Sequence, residues 1–133
     1  MTTVEPKRGL SILVVEDEES IGALLVSVLG MEAHRVRVSQ TGQGGMQQFD
    51  TEASDIVITD LGLPDHSGWE VAQHVKRSRP GTPVILITGW GYTASEAELQ
   101  RRGVDCVLHK PFEFEELWRA ISRVWKGKSP SCP

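Results

Sequence analysis

Four short apolar runs limit what this chain can fold into: Ser11 to Val15, Asp55 to Thr59, Pro83 to Ile87 and Cys106 to His109. Each is four or five residues long, and most are rich in Val and Ile. A strand with one face in water alternates apolar with polar residues, whereas a strand covered on both faces is apolar almost throughout. These runs therefore read as strands buried between two layers. The segment His34 to Val38 does alternate, as expected of a strand at a sheet edge.

Helical patterns lie between the runs. Ile21, Leu24, Leu25, Val28 and Leu29 form a stripe with helical spacing. Ser67-Gly-Trp-Glu70 has the spacing of a capping box and opens a helix carrying Val71 and Val75. Thr93 to Glu96 repeats that signature, with Gly103 placed to end the helix. Phe114, Leu117, Ile121 and Val124 mark the last helix, and residues 43–51 read as a weaker one through Met46 and Phe49. Five strands alternating with five helices require a parallel sheet with right-handed crossovers and helices on both faces. Residues 1–9 and 127–133 read as tails around one domain over 10–126.

Composition narrows the function. The chain has 133 residues, 39% hydrophobic and 24% charged, enough for one domain with a substantial core. Fourteen basic residues against eighteen acidic ones argue against a general nucleic-acid surface or a polybasic membrane patch. No apolar run approaches the roughly 20 residues of a membrane span. Two cysteines, Cys106 and Cys132, are too few for a disulfide framework and fit a reducing, cytoplasmic compartment.

Ligands of open α/β sheets bind outside the carboxyl ends of the strands. Glu16 and Asp17 follow the first strand, Asp60 ends the third, Thr88 ends the fourth, and Lys110 follows the fifth. Reactive side chains from four strands thus converge on one rim. Three carboxylates and one lysine leave a double negative charge, which a divalent cation neutralises. Ligands that are all oxygen favour a hard ion, Mg²⁺, with Mn²⁺ as an alternative. Such an ion beside a carboxylate, an amine and a hydroxyl is suited to phosphoryl transfer. Asp60, alone at the central strand's tip, is the expected nucleophile, and the Glu16–Asp17 pair suits the metal.

These residues resemble the receiver domain of two-component response regulators. The pieces are Ile12 to Glu18, Asp60 to Gly68, Leu86 to Gly89 and Lys110 to Phe112, in that order, and the likeness covers roughly Leu10 to Trp125. The resemblance implies a (βα)5, flavodoxin-like doubly wound sheet in strand order 2-1-3-4-5. It implies that Asp60 accepts phosphate from a phosphohistidine on a sensor histidine kinase or a histidine phosphotransfer domain. Asp17, Asp60 and the Gly62 carbonyl would hold Mg²⁺, with Glu16 acting mainly through water. Lys110 and Thr88 would contact the phosphoryl oxygens, and Gly89 would move with Thr88. On this reading the chain is a signalling switch, not an enzyme acting on other substrates. It needs neither nucleic acid nor membrane, and dimer formation is left open.

Two departures from the receiver pattern stand out. Val107 occupies the position three before the lysine where receivers usually carry an aromatic switch residue, so Trp90 or Tyr92 is expected to report the switch instead. Gly89 replaces the more usual alanine, which loosens the hinge. The Gly-Trp-Glu and Thr-Gly-Trp-Gly stretches resemble receivers of hybrid sensor kinases.

Two other readings compete. An aspartate-based phosphohydrolase would carry a second acid two residues after the nucleophile, where this chain has Gly62. A degenerate receiver would bind partners without phosphorylation, yet all five rim residues are present. Trp118 and Trp125 fall on one helical face, as partner anchors or as an extension of the core. The four histidines, His34, His66, His74 and His109, lack ligand spacing and are expected at the surface or sheet edge.

Overall fold

The computed structural model describes residues 9–89 and 94–127, the last two through their backbone alone. Trp90, Tyr92, Thr93 and both tails apart from Gly9 and Gly127 lie outside the described residues. The elements run β1 (Ser11–Val15), α1 (Glu19–Gly30), β2 (Arg35–Ser39), α2 (Gly42–Thr51), β3 (Ile56–Asp60), α3 (Gly68–Ser78), β4 (Val84–Thr88), α4 (Glu96–Arg101), β5 (Cys106–His109) and α5 (Phe114–Gly127). All four strand pairings are parallel, in the order β2-β1-β3-β4-β5. The alternating segment is thus an edge strand, and the apolar runs β1, β3 and β4 fill the centre.

Because successive strand residues point to opposite faces, each strand feeds two cores. Ile12, Val14, Ile56, Ile58, Ile85 and Ile87 pack on one side with Leu25, Val28 and Leu29 of α1 and Leu117, Ile121 and Val124 of α5. Leu13, Val15, Val57, Val84 and Leu86 pack on the other with Phe49 of α2 and Val71, Ala72 and Val75 of α3. Each fully buried Leu, Ile or Val contributes about 1.5–3 kcal/mol, and this doubled burial holds the sheet flush with its helices.

Local chemistry sets the element ends. The Ser67 hydroxyl accepts from the Glu70 N–H while the Glu70 side chain accepts from the Ser67 N–H, completing the expected capping box. Asp55 accepts from the Ser11 N–H, and Asp105 accepts from the Val84 N–H and from Lys76 Nζ, each at 2.8 Å. These carboxylates satisfy donors at the strand starts, the end opposite the acidic rim. Gly103 ends α4 with φ +83°, where a Cβ would meet the Lys76 side chain at 2.9 Å.

Several sequence expectations need correction. The cap of α4 is Ser95, whose hydroxyl accepts from the Glu98 N–H, so Glu96 is the first residue of the helix instead of the third. Leu24 is 44% exposed and Phe114 47% exposed, because each begins or flanks its stripe on the side turned from the sheet. His34 is buried rather than superficial: its Nδ1 accepts from the Leu10 N–H at the base of the edge strand. Cys106 is buried and disulfide-bonded. A low cysteine count argues against a framework, but a bonded Cys106 removes the support that the cysteines lent to a reducing compartment. Trp118 and Trp125 are partly buried against the α1/α5 core, which favours the core reading over exposed anchors.

Candidate functional site

Parallel strands of similar length place their carboxyl ends at one rim, and that rim collects the predicted residues. β1 delivers Glu16 and Asp17, β3 delivers Asp60, and the turn after β5 delivers Lys110. One oxygen from each of Glu16, Asp17 and Asp60 lies within 4.8 Å of the others. Lys110 Nζ stands 3.4 Å from Glu16 Oε1, 3.4 Å from Asp60 Oδ1 and 3.8 Å from Glu18 Oε1. Glu16 is fully buried, Asp60 nearly so, and Asp17 is exposed. The site is therefore a shallow acidic pit with one open lip.

Burial governs its charges. Burial raises the Glu16 carboxyl above the ordinary carboxylate range, with the nearby Asp60 charge adding to it; the Glu18 N–H bonded to Glu16 Oε2 at 3.0 Å and the Lys110 charge only partly offset this. Asp60 is raised as well, first by burial and then by Asp17, against the pull of Lys110. Burial alone would lower the Lys110 ammonium, but the Glu16 and Asp60 carboxylates outweigh it and hold it above its ordinary value. One lysine is thus shared among carboxylates that it does not fully compensate.

A hard cation fits this donor set. The ligand atoms are all oxygens, and Glu16 Oε1 is buried without a hydrogen bond, since Lys110 Nζ approaches at ion-pair distance without hydrogen-bond geometry. A buried carboxylate oxygen whose only close cation is a shared lysine costs free energy that an ion or its bound water would recover.

The remaining predicted residues lie around the pit. Thr88, fully buried, continues β4 beside Asp60, whose register partner is Ile87. Gly89 is exposed, and a Cβ there would meet nothing within 4 Å. Gly62 pairs with Ser67 in an isolated antiparallel bridge that closes the loop after Asp60. Val107 packs partly buried on the α2/α3 core. Trp90 and Tyr92, the expected reporters, lie outside the described residues.

Three contributors escaped the sequence reading. A Cβ on Gly68 would sit 2.4 Å from the Asp60 carbonyl and 2.9 Å from Leu61 Cα, so only glycine lets α3 start this close to the end of β3. The Asp65 carboxylate accepts from the N–H groups of Gly42 and Gln43, tying the loop after β3 to the start of α2; these bonds, Gln43 first, hold its carboxyl below the usual range. His109 Nδ1 lies 3.1 Å from Thr88 Oγ1. The glycine after Ser67 was a legible signal, whereas the other two contacts depend on tertiary placement.

An open five-stranded parallel sheet whose strand ends gather three carboxylates around a lysine defines a class of α/β signalling modules. The family model for the response regulator receiver domain matches residues 12–122, and this chain belongs to that family. It is 37% identical over 128 residues to the transcriptional regulatory protein TcrA of Mycobacterium tuberculosis, covering 94% of this chain and 50% of the relative. It is 33% identical over 114 residues to the response regulator ArlR of Staphylococcus haemolyticus, covering 86% and 52%. The chain thus spans about half the length of these relatives. Among solved structures, a response regulator receiver domain protein from Clostridium thermocellum superposes with a TM-score of 0.81 at 27% identity, covering 90% of this chain and 96% of the other. A CheY-like receiver from Methanospirillum hungatei shares the fold with a TM-score of 0.82 at 24% identity, covering 89% and 94%. Among the described residues, no helix is long and apolar enough to cross a membrane.

Proposed function

We propose that this receiver takes a phosphoryl group onto Asp60 from a phosphohistidine of a sensor histidine kinase or a histidine phosphotransfer domain, in the cytoplasm, and that the product alters partner contacts. An Asp60 carboxylate oxygen attacks phosphorus as the phosphorus–nitrogen bond to the donor imidazole breaks, and the departing imidazole takes a proton from solvent. Asp17, Asp60 and the Gly62 carbonyl would hold Mg²⁺, with Glu16 acting through water; the ion supplies charge neutralisation for the incoming phosphoryl oxygens. Lys110 holds one of those oxygens, and the Thr88 hydroxyl donates to another. Phosphorylation adds roughly −1.5 to −2 charge and three strong acceptors, enough to draw Thr88 and the Gly89 hinge towards the site and shift a loop equilibrium.

The observation that carries this reading is the Glu16–Asp17–Asp60 oxygen cluster with Lys110 Nζ 3.4 Å from Asp60. Intact mass spectrometry after treatment with a small-molecule phosphodonor and Mg²⁺ tests it. One added phosphate on the wild type and none on Asp60→Asn is the expected result. Labelling that survives Asp60→Asn would move the acceptor elsewhere.

A further inference from the structure

The Thr88 hydroxyl already has a partner, and that partner points away from Asp60. Strand β4 lies between β3, which carries Asp60, and β5, which carries His109. Thr88 and His109 are direct register partners, and Thr88 Oγ1 stands 3.1 Å from His109 Nδ1. Thr88 is fully buried, while His109 is exposed at the sheet edge. A buried hydroxyl has one proton to give, and it must reach an acceptor. Val107 shares a face with His109, because side chains two apart on a strand point the same way. Val107 offers neither a polar atom nor a ring that could track the hydroxyl, so the polar link from Thr88 to β5 runs through His109.

We propose that His109 is a positioning residue for the phosphoryl switch: its Nδ1 accepts the Thr88 hydroxyl proton in the resting state and competes with the phosphoryl oxygens for it. This inference rests on the reading that Asp60 takes the phosphoryl group. When those charged oxygens arrive, they are the stronger acceptors, and the hydroxyl turns from β5 towards β3. His109 then loses its partner at the open edge of the sheet. The swap converts an event at the rim into a change on the β5 surface, without an aromatic residue at position 107. The imidazole also restrains the unphosphorylated state, because its hydrogen bond must break before Thr88 can engage.

Nuclear magnetic resonance of the histidine ring nitrogens in the whole chain, with beryllofluoride and Mg²⁺ as the phosphoryl mimic, tests the exchange. The His109 Nδ1 resonance should move when the mimic is added to the wild type. In Thr88→Val it should already sit away from its wild-type position and stay there. Removing the acceptor with His109→Phe should raise the phosphorylated fraction at limiting phosphodonor about fivefold, the worth of one neutral hydrogen bond. His109→Asn, whose amide oxygen falls near the place of Nδ1, should return it to the wild-type level, which mere loss of packing would not allow. A wild type that gains phosphate on Asp60 while the His109 ring stays unmoved, or a His109→Phe variant that labels as the wild type does, overturns the inference and leaves the phosphoacceptor reading intact. A wild type that gains no phosphate on Asp60 overturns both.

Discussion

Metal binding and loss of the Asp60 charge should relieve the same strain, so their stabilising effects should exclude each other. Glu16 and Asp60 carry oxygens within 4.8 Å, and both carboxyls are raised by burial. At an effective dielectric constant of about 20, two charges at that separation repel by roughly 3.5 kcal/mol. Lys110 offsets part of this but is divided between the two carboxylates. The sign follows from the raised values: native Glu16 and Asp60 hold protons more tightly than the unfolded chain, so the metal-free protein loses stability as pH climbs through the carboxylate range. Mg²⁺ at a hundred times its dissociation constant should add about 2.7 kcal/mol. For a domain of this size that is a rise of roughly 10 °C in Tm. Asp60→Asn should be more stable than the wild type without metal and gain little from Mg²⁺. Differential scanning calorimetry at neutral pH, with chelator and with millimolar Mg²⁺, reads all four states. An Asp60→Asn protein that is less stable than the metal-free wild type, or that gains as much from Mg²⁺, would show that repulsion at Asp60 is not what the ion relieves.

Three further outcomes are expected. Burial lowers the His34 imidazole, with Glu32 opposing, so its contribution to stability is complete above the unfolded value of about 6.5 and drains away as pH falls below it; chemical denaturation from pH 7 to 5 should show a smaller acid loss in His34→Gln. Ala33 adopts φ +66° between α1 and β2, and Ala33→Gly should raise stability by about 1 kcal/mol on thermal unfolding, with a fall counting against strain there. Gly68→Ala, which forces a methyl against the Asp60 carbonyl and Leu86, should cost on the order of 2 kcal/mol and slow phosphate uptake; wild-type behaviour would show that α3 can shift freely.

The sheet was legible because burial on both faces writes itself as continuous Val and Ile, and the rim was legible because topology sends every strand end to one side. Glu16, Asp17, Asp60, Thr88 and Lys110 could therefore be placed from spacing alone. The end of α4 was legible in Gly103, but its start was not, since Thr93 and Ser95 each precede a glutamate by three residues and only the fold selects Ser95. The His34 burial and the Thr88–His109 contact were hidden for a different reason. Both depend on a side chain crossing to another strand, which no local periodicity records.

The role proposed for Asp60 requires that the acidic pit bind one divalent ion in contact with its carboxylate. A crystal structure grown with Mg²⁺ and beryllofluoride reads this directly. One ion ligated by Asp17, Asp60 and the Gly62 carbonyl is expected, with the fluoride group on Asp60 and within reach of Lys110 and Thr88. A pit without an ion, or a fluoride group bonded to a different residue, would contradict that role.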